Sequence, residues 1–290
     1  MIVVIGSNGQ LAWEIQRLAP DSVCLGRKDI NLFETSLLEK KLSEYKPTAI
    51  INASAYTAVD KAEEDSEAAH QLNVTAVENL AKYSADHGCH FVHVSTDYVF
   101  AGDKGSPYLP YDPVEPQGVY GATKAAGEKY IQALGSNGCV IRTSWVYSEH
   151  GNNFVKSMLN LMSSRDNLGI VSDQIGSPTW AKTLAVACLE AANNRYSGVY
   201  HWTDLGIASW YDFAKATYDI AKQLEMLQSN VDIRPIRTQD YPTPAARPKY
   251  SVLEKHGTQE RFKETKMHHW REQLTKMLLE LKEKNYNAGK

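Results

Sequence analysis

Apolar and polar residues in the first half of the chain form two alternating patterns. Short runs rich in valine and isoleucine, typical of strands buried on both faces, are separated by longer stretches with helical periodicity. This order indicates βαβ units, whose right-handed crossovers predict an α/β fold with a doubly wound parallel sheet and a ligand crevice at the carboxyl ends of its strands. We predict strands at Ile2–Ile5, Ser22–Leu25, Thr48–Ala53, His90–Ser95 and Cys139–Thr143, and helices at Gln10–Leu18, Thr35–Glu44, Ser66–Asp86 and Tyr120–Leu134.

The pattern changes after about residue 148, where irregular segments containing proline and glycine separate the helical stretches. We therefore predict a Rossmann-like dinucleotide-binding domain over residues 1–148 and a smaller, loop-rich lobe, mainly substrate-binding, over residues 149–284. Some segments of this lobe are expected to return to the sheet, and residues 285–290 are predicted to be a disordered tail. Helices of the lobe are predicted at Asn152–Ser164, Thr179–Asn193, Ser209–Leu224 and Met267–Lys284.

Composition narrows the classes of partner. The chain is 43% hydrophobic and 22% charged, as in ordinary globular proteins, and its net charge of −3 provides no basic surface for nucleic acid or an anionic membrane. No apolar run approaches the length of a membrane span, and the first strand leads directly into a glycine turn instead of a signal-peptide pattern. We expect a cytoplasmic protein with neither nucleic acid nor a membrane as partner.

Cysteine and histidine spacing argues against disulfides and metal sites. The four cysteines are far apart and include no C-x-x-C pair, so we expect free thiols in a reducing compartment. The nine histidines lack metal-ligand spacing. His93 alternates with valines in a predicted strand, and we interpret it as a structural residue.

A glycine-rich turn follows the first strand and opens the first helix, with Gly6, Gly9 and Ala12 at its three characteristic positions. Glycine allows a tight turn and lets backbone N–H groups approach a pyrophosphate at the helix N-terminus, where the helix dipole favours an anion. Alanine at the third position is the smallest departure from glycine. The pattern predicts coenzyme contacts from Gly6, Asn8, Gly9, Gln10 and Leu11.

The residues after the second strand indicate which coenzyme is bound. An NAD-selective site usually places an acid here for the ribose 2′-hydroxyl, whereas this chain has Gly26-Arg27-Lys28. Because a cation suits a 2′-phosphate, we predict NADP(H), with Arg27 at the phosphate and Asp29 and Ile30 along the adenine; NAD(H) remains the alternative coenzyme. The third strand ends in small side chains that allow close approach. The candidate contacts there are Ala53, Ser54, Ala55 and Tyr56.

Tyr120 and Lys124 lie one turn apart on a predicted helix, and Thr96 follows the fourth strand. Carbonyl reduction needs a proton donor, and an ordinary tyrosine has too high a pKa, near 10, to act well at neutral pH. A lysine ammonium beside it lowers that pKa and also holds the nicotinamide ribose. The Thr96 hydroxyl is placed to share the substrate oxygen as charge develops on it.

Tyr-x-x-x-Lys spacing by itself is not specific, because it recurs at Tyr211/Lys215, Tyr218/Lys222 and Tyr286/Lys290. Only the pair Tyr120/Lys124 follows the fourth strand and its Ser95-Thr96-Asp97 end, which places it at the carboxyl edge of the sheet. Position in the chain therefore selects Tyr120 and Lys124 as the catalytic candidates.

With these motifs in order, the chain resembles the extended short-chain dehydrogenase/reductases, and within them the dTDP-4-dehydrorhamnose reductases, over nearly its full length. The match rests on segments distributed along the chain. They are Gly6–Gln10, Ala55–Glu63, Ser95–Phe100, Val119–Lys124, Arg142–Tyr147, Gly151–Phe154, Asp173–Thr179 and Tyr241–Pro248.

The resemblance implies NADPH-dependent reduction of the C4 ketone of dTDP-6-deoxy-L-lyxo-4-hexulose to dTDP-L-rhamnose, with a homodimer as the implied assembly. Tyr120 is the implied proton donor, and Lys124 and Thr96 are its partners. Some family members hold magnesium through glutamates at a dimer interface. Glu14 matches one such position, but Lys182 stands where another acid is expected, so we predict no metal site. The implied substrate contacts are Thr96, Asp97, Tyr98, Tyr120, Trp145 and Arg247.

Two alternatives share parts of this pattern. A sugar-nucleotide epimerase or dehydratase has the same fold and Tyr/Lys pair, but dehydratases place Asp-Glu after the threonine, whereas Thr96-Asp97 is followed here by Tyr98. The missing second carboxylate disfavours elimination. The regulatory subunit of methionine adenosyltransferase also resembles these reductases and acts as a binding partner, and retention of Thr96, Tyr120 and Lys124 favours catalysis over that role.

Overall fold

The computed structural model describes residues 1–288. Its centre is a six-stranded sheet in which every neighbouring pair is parallel, in the order β10-β5-β4-β3-β1-β2. The strands of this sheet are β1 (Ile2–Ile5), β2 (Val23–Leu25), β3 (Ala49–Asn52), β4 (His90–Thr96), β5 (Gly138–Thr143) and β10 (Gly198–His201). The sheet confirms the predicted doubly wound α/β class.

Both faces of the sheet are buried, because successive residues of each strand contribute to different cores. Val4 belongs to a core with α1 and α8, whereas Val3 and Ile5 belong to a core with α2 and α5. The helices of the first part are α1 (Gln10–Leu18), α2 (Thr35–Tyr45), α3 (Val59–Ala62), α4 (Ser66–His70), α5 (Ala76–His87) and α6 (Val119–Gln132), with α8 at Ala181–Asn193.

The remaining elements form three two-stranded sheets and four helices with cores of their own. The strands are β6 (Val146–Tyr147), β7 (Asn167–Val171), β8 (Ile175–Gly176), β9 (Thr179–Trp180), β11 (Ala208–Ser209) and β12 (Asp232–Ile236). The helices are α7 (Phe154–Ser164), α9 (Trp210–Gln223), α10 (His256–Arg261) and α11 (Trp270–Ala288).

Two features differ from the sequence prediction, the course of one helix and the end of the last one, and the pairing of β10 identifies which segment of the lobe joins the sheet. The helix predicted at Ser66–Asp86 is interrupted by a π-helical segment, Gln71–Thr75, that joins α4 to α5. Strand β10 comes from the predicted lobe but pairs with β5, so the lobe does return to the sheet. Helix α11 includes residues 285–288, which were predicted to be disordered; residues 289 and 290 lie outside the described part of the chain. The domain boundary near residue 148 stays a prediction.

All four cysteines are free thiols, three of them buried. Among the helices of residues 1–288, none combines the length and apolar character needed to cross a membrane.

Candidate active site

The glycine turn brings β1, β3 and α1 into close contact. Gly6 has a φ of +111°, and a Cβ there would lie 3.0 Å from the Ser54 backbone nitrogen and 3.1 Å from the Ala53 carbonyl carbon. Only glycine fits such an approach without strain. Gly9 is the N-cap of α1 and provides no side-chain cap, so the first-turn N–H groups are open to an external acceptor.

The remaining residues predicted in this turn have different surroundings. Leu11 and Ala12 are buried in the core between α1 and the sheet, so Leu11 offers only its backbone N–H to a ligand. The Gln10 side chain accepts a hydrogen bond from Asn153 at 2.9 Å, which ties the turn to the beginning of α7. Asn8 is exposed.

The turn after β2 is held by Asp29, whose carboxylate accepts a hydrogen bond from the Gly26 backbone at 2.8 Å. Ile30 is buried in the core with α2 and α5. Arg27 and Lys28 are exposed and, within residues 1–288, have no hydrogen-bond or ion-pair partner. The predicted phosphate-binding cations are therefore accessible, whereas Ile30 faces the protein interior.

The end of β3 is organised by two buried asparagines. The Asn52 side-chain oxygen accepts from the Ser54 backbone N–H at 3.0 Å and from the Ser54 hydroxyl at 2.7 Å. Asn73, in the π-helical segment, accepts from the Tyr56 backbone N–H at 2.8 Å and donates to the Thr123 hydroxyl at 3.1 Å. Asn73 therefore connects the predicted coenzyme strand to the helix that carries Tyr120 and Lys124. Ala53, Ser54, Ala55 and Tyr56 are all half-buried.

Helix α6 is pressed against its neighbours at two glycines. A Cβ on Gly121 would lie 2.2 Å from the Tyr98 carbonyl oxygen, and one on Gly127 would lie 2.4 Å from the Asn73 carbonyl oxygen. These contacts fix α6 against the turn that follows β4 and against the π-helical segment Gln71–Thr75. Tyr120 lies on the first turn of α6, with its ring 5.6 Å from that of Tyr98 in an edge contact.

The hydroxyl environment of Tyr120 differs from the sequence expectation. Burial raises the pKa of Tyr120 to about 12, Thr96 opposes this shift, and the nearby Asp97 carboxylate adds to it. The expected lowering of the Tyr120 pKa by Lys124 is not among these effects. Thr96 donates to Asp97 at 3.0 Å, and burial raises the pKa of Asp97 to about 6. Thr96, Asp97, Tyr98 and Tyr120 therefore form one group at the carboxyl end of β4.

Lys124 is 1% exposed, and its side chain extends from α6 to the neighbouring strand β4. Its amino nitrogen donates to the Val94 carbonyl at 2.7 Å and lies 3.1 Å from His93 Nε2. His93 Nδ1 lies 3.2 Å from Asn52 Nδ2, so a continuous polar chain runs from β3 to Lys124. Burial lowers the pKa of Lys124 to about 8, while Glu128 opposes the shift, and burial lowers the pKa of His93 well below its usual range.

Trp145 lies just beyond β5, whose last residue Thr143 pairs with Thr96, and it has a φ of +50°. A left-handed backbone is rare for a bulky residue and is typical of functional sites. Its indole stacks on Trp210 with ring centroids 3.6 Å apart, and it also covers Gly176. The ring is thus held rigidly, half-exposed, at the carboxyl edge of the sheet.

Arg247 forms a bidentate ion pair with Asp60 at the start of α3, with distances of 3.0 and 2.7 Å. It also bonds to Thr243 and Ala245, so its guanidinium organises its own loop. Arg247 is close enough to Tyr98 to influence its pKa, which places it near the group around Tyr120. In the predicted contact, the guanidinium N–H groups of Arg247 would have to bind the phosphates of the nucleotide while they also donate to Asp60.

Glu14 and Lys182 belong to a separate cluster. Arg17 pairs with Glu14 at 2.8 Å and with Glu280 at 3.0 Å, and Lys182 pairs with Glu280 at 2.5 Å. Burial raises the pKa of Glu14 to about 7. Arg17 also lies 3.6 Å from Glu149, so Arg17 and Lys182 together face three carboxylates. Among residues 1–288, no group of three or more histidine, cysteine or acidic side chains is arranged to hold a metal ion.

Three residues whose side chains connect the elements of this site were missed in the sequence analysis: Asn52, Asn73 and His93. The signal for two of them was available, since Asn52 ends β3, His93 lies in the middle of the neighbouring strand β4, and these two polar residues of buried strands are paired in register. The interpretation of His93 as merely structural did not include its contact with Lys124. Asn73 carries no comparable signal, because its position depends on the π-helical segment.

Comparison with known proteins gives a consistent result. A family model described as the RmlD substrate binding domain matches residues 1–283. A dTDP-4-dehydrorhamnose reductase of Burkholderia thailandensis is 41% identical over 275 residues, which cover 90% of this chain and 92% of the relative.

Solved structures of related proteins match this chain over a similar share of its length. The crystal structure of a dTDP-4-dehydrorhamnose reductase from Clostridium acetobutylicum has a TM-score of 0.91 at 36% identity, covering 97% of this chain and 99% of that one. A Bacillus anthracis dTDP-4-dehydrorhamnose reductase in complex with NADP has a TM-score of 0.90 at 34% identity, covering 96% of this chain and 98% of that one.

Proposed function

The chain belongs to the dTDP-4-dehydrorhamnose reductase family, and from this premise we propose that it reduces the C4 ketone of dTDP-6-deoxy-L-lyxo-4-hexulose to dTDP-L-rhamnose with NADPH. The observation that carries the proposal is the group at the carboxyl end of β4. Tyr120 and Thr96 interact there, and Lys124, one turn further along α6, binds the Val94 carbonyl of the same strand; this arrangement supports a carbonyl reduction.

The turn after β1 fits a dinucleotide. Gly6 lets the turn lie directly against the backbone of Ala53 and Ser54, and the first-turn N–H groups of α1 lack a side-chain cap. Gly9, Gln10 and Leu11 would hold the pyrophosphate through backbone N–H groups, and Arg27 would bind the 2′-phosphate that distinguishes NADPH. Bound NADPH supplies the hydride for the carbonyl carbon. The Bacillus anthracis relative, in complex with NADP, supports this coenzyme over NAD(H).

The residues of this chain would supply the proton and the orientation of the sugar. Tyr120 would give its phenolic proton to the ketone oxygen, and the Thr96 hydroxyl, which donates to Asp97 in this structure, would turn to donate to the same oxygen as charge develops. Asp97, Tyr98 and Trp145 would line the sugar pocket, with the Trp145 ring as its rigid wall. Arg247, held by Asp60, would face the phosphates of the nucleotide.

The alternatives are less well supported. Dehydration needs a second carboxylate after Asp97, and that position is Tyr98, whose pKa burial raises. A purely regulatory role would not require a tyrosine and a buried lysine at the edge of a dinucleotide site.

The test is a direct assay of the purified chain with NADPH and the 4-keto sugar nucleotide. We expect NADPH oxidation equimolar with dTDP-L-rhamnose, identified by mass spectrometry and chromatography, and no oxidation with dTDP-glucose, which lacks the ketone. Tight NADPH binding without turnover would contradict the proposal and favour the regulatory role. Loss of water from dTDP-glucose would instead favour a dehydratase.

We also propose a cytoplasmic homodimer. The free cysteines support a reducing compartment, and the family resemblance supports the dimer. Light scattering of the purified chain at several concentrations tests the assembly: a mass of about 32.4 kDa throughout would contradict it.

A further inference from the structure

Asp60, in the short helix α3, holds a loop that lies far away in the sequence. Its carboxylate accepts hydrogen bonds from the Arg247 guanidinium at 3.0 and 2.7 Å and from the Ala245 backbone N–H at 3.1 Å. The guanidinium keeps the pKa of the Asp60 carboxyl below its usual range, so this carboxyl is ionised at neutral pH. The loop of residues 243–247 is thus attached to α3 by hydrogen bonds to one acidic side chain.

The position of Asp60 is itself fixed relative to α6. Glu63 follows α3, and its carboxylate accepts a hydrogen bond from the Val119 N–H at 2.9 Å, at the beginning of α6. A Cβ on Gly118 would lie 2.6 Å from the same carboxylate oxygen, so the two segments are in close contact. Because Tyr120 belongs to the first turn of α6, α3 holds Asp60 in a fixed position relative to the proposed proton donor.

The contacts of Arg247 leave one edge of its guanidinium free. Both N–H groups of Nη1 are used, one by Asp60 and the other by the Thr243 hydroxyl and the Ala245 carbonyl, and one N–H group of Nη2 is used by Asp60. Within residues 1–288, the Nε–H and the second Nη2–H have no acceptor. The planar guanidinium carries these two groups side by side on one edge. Arg247 therefore presents two parallel donors, the geometry that a phosphate group accepts.

This free edge belongs to a side chain beside the proposed sugar pocket. Burial raises the pKa of Tyr98, and the charges of Arg247 and Asp60 are among the smaller influences on it, so both side chains lie near Tyr98. Pro248, the next residue of the chain, covers Gly102, where a Cβ would lie 2.3 Å from the Pro248 Cβ. A phosphate bound to the free edge of Arg247 would therefore lie beside the group at the carboxyl end of β4.

We propose that Asp60 is a positioning residue for the sugar-nucleotide substrate: it holds Arg247 by one edge, so that the other edge meets the diphosphate of the nucleotide. This inference rests on the proposed function, because its ligand is the nucleoside diphosphate part of that substrate. Asp60 fixes the guanidinium when the protein folds. Without Asp60, the arginine would be ordered only when the ligand binds, which costs affinity.

The charge of Asp60 determines what kind of contact this is. Asp60 and Arg247 together carry no net charge, so the pair attracts a diphosphate little from a distance. Recognition depends on the direction of two charge-assisted hydrogen bonds and should change little with added salt. Arg27 is the opposite case, because it is exposed and, within residues 1–288, has no hydrogen-bond or ion-pair partner.

Calorimetric titration of the full chain with dTDP, and competition of thymidine against dTDP, measure the contribution of Asp60. Asp60→Ala should weaken dTDP binding about tenfold or more, as expected when an oriented hydrogen bond to a charged group is lost, and leave thymidine binding unchanged. NADPH affinity should also stay the same, which separates the substrate diphosphate from the coenzyme pyrophosphate. Equal losses for dTDP and thymidine, or an unchanged affinity for dTDP, would overturn the inference.

A double-mutant cycle separates positioning from direct contact. Arg247→Ala should weaken dTDP binding at least as much as Asp60→Ala does, because it removes the contact itself. In the Arg247→Ala background, Asp60→Ala should cause no further loss and should restore part of the affinity, since it removes an unpaired carboxylate near the diphosphate. Additive losses would contradict a role of Asp60 through Arg247.

Matched variants sharpen the binding test. Asp60→Glu keeps a carboxylate and should recover part of the dTDP affinity that Asp60→Ala loses. Asp240→Ala is the control, because Asp240 is exposed to the same degree as Asp60, 41% against 40%, and pairs with Arg237 at 3.1 and 3.2 Å. It should change dTDP affinity by less than about twofold. Equal losses in Asp240→Ala and Asp60→Ala would show that the effect is not specific to Arg247.

Steady-state kinetics with the 4-keto sugar nucleotide give a second readout. Asp60→Ala should raise KM about tenfold and change kcat by less than about twofold, because the diphosphate takes no part in the reduction. A lower kcat at unchanged KM would contradict the positioning role.

The inference and the proposed function fail in different ways. If the wild type binds dTDP but reduces no ketone, the proposed reduction is wrong and the titrations still decide the role of Asp60. If the wild type reduces the ketone but Asp60→Ala binds dTDP as tightly, only the inference is wrong. A wild type that binds no dTDP would overturn both.

Discussion

The two ends of the proposed crevice differ in how much of their geometry is fixed by folding. At the catalytic end, Lys124 is 1% exposed and is held by His93 and the Val94 carbonyl. At the turn after β2, Arg27 is exposed and free of hydrogen-bond and ion-pair partners within residues 1–288. Lys124 loses its side-chain conformational entropy when the protein folds, whereas Arg27 loses it only when a ligand binds. Substitutions should therefore change turnover or stability at the catalytic end and coenzyme affinity at the other.

The largest effect is expected for Tyr120→Phe, which keeps the ring but removes the proton donor. It should lower kcat by roughly 10² to 10⁴, with NADPH binding unchanged, as measured by steady-state kinetics and coenzyme titration. Tyr218→Phe is the control, because Tyr218 has the same spacing to a lysine and its hydroxyl makes only two long hydrogen bonds, donating to the Ser229 carbonyl at 3.4 Å and accepting from the Val231 N–H at 3.5 Å. Equal losses of kcat in the two variants would remove the basis for a distinct catalytic end.

The buried ion pair between Arg142 and Glu128 should contribute more to the free energy of unfolding than an exposed ion pair does. Arg142 and Glu128 have side chains only 2% exposed, so Glu128→Gln leaves a buried charge without its partner. We expect the free energy of unfolding to fall by about 3–5 kcal/mol in urea denaturation. Asp219→Asn breaks the exposed pair with Lys215 and should cost no more than about 1 kcal/mol. Similar losses would show that burial does not separate these regions.

Arg27→Ala tests the turn after β2, where the proposed phosphate-binding side chain is exposed. It should weaken NADPH binding by about 1.5–3 kcal/mol, the range for a hydrogen bond to a charged group, and barely change NADH binding. The NADPH preference of the wild type should shrink with added salt, because the contact is exposed. Calorimetric titration of both proteins with both coenzymes measures this. Equal weakening of NADPH and NADH would make Arg27 a solvated loop residue.

Trp145→Ala should give the smallest change, because it removes one aromatic contact with the sugar and no charged group. The Trp145 ring is held rigidly, as Lys124 is, but it is only half-buried. We expect KM for the sugar nucleotide to rise on the order of tenfold, from the loss of about 1–1.5 kcal/mol of aromatic contact. NADPH affinity should stay the same. A fall in NADPH affinity would assign Trp145 to the coenzyme site or to the core.

The local spacing of apolar residues was sufficient to predict most strands of the central sheet. The bounds of β1 and α1 match the prediction residue for residue, because both elements depend on nearby apolar spacing. β10 was not predicted, since its place beside β5 depends on contacts between residues far apart in sequence. The role of His93 was missed for the same reason: whether a buried histidine contacts only packing atoms or Lys124 depends on which helix crosses the strand.

The position of β10 has a consequence for how the chain is made. β5 is complete at Thr143, but its outer edge pairs only with Gly198–His201. During synthesis, residues 144–201 must follow before that edge is covered. Until then, a strand that is buried in the finished fold exposes unpaired backbone N–H and C=O groups. A fragment cut at the predicted boundary near residue 148 would keep this exposed edge permanently and would be prone to aggregate, although it contains the whole glycine turn and both proposed catalytic side chains of α6.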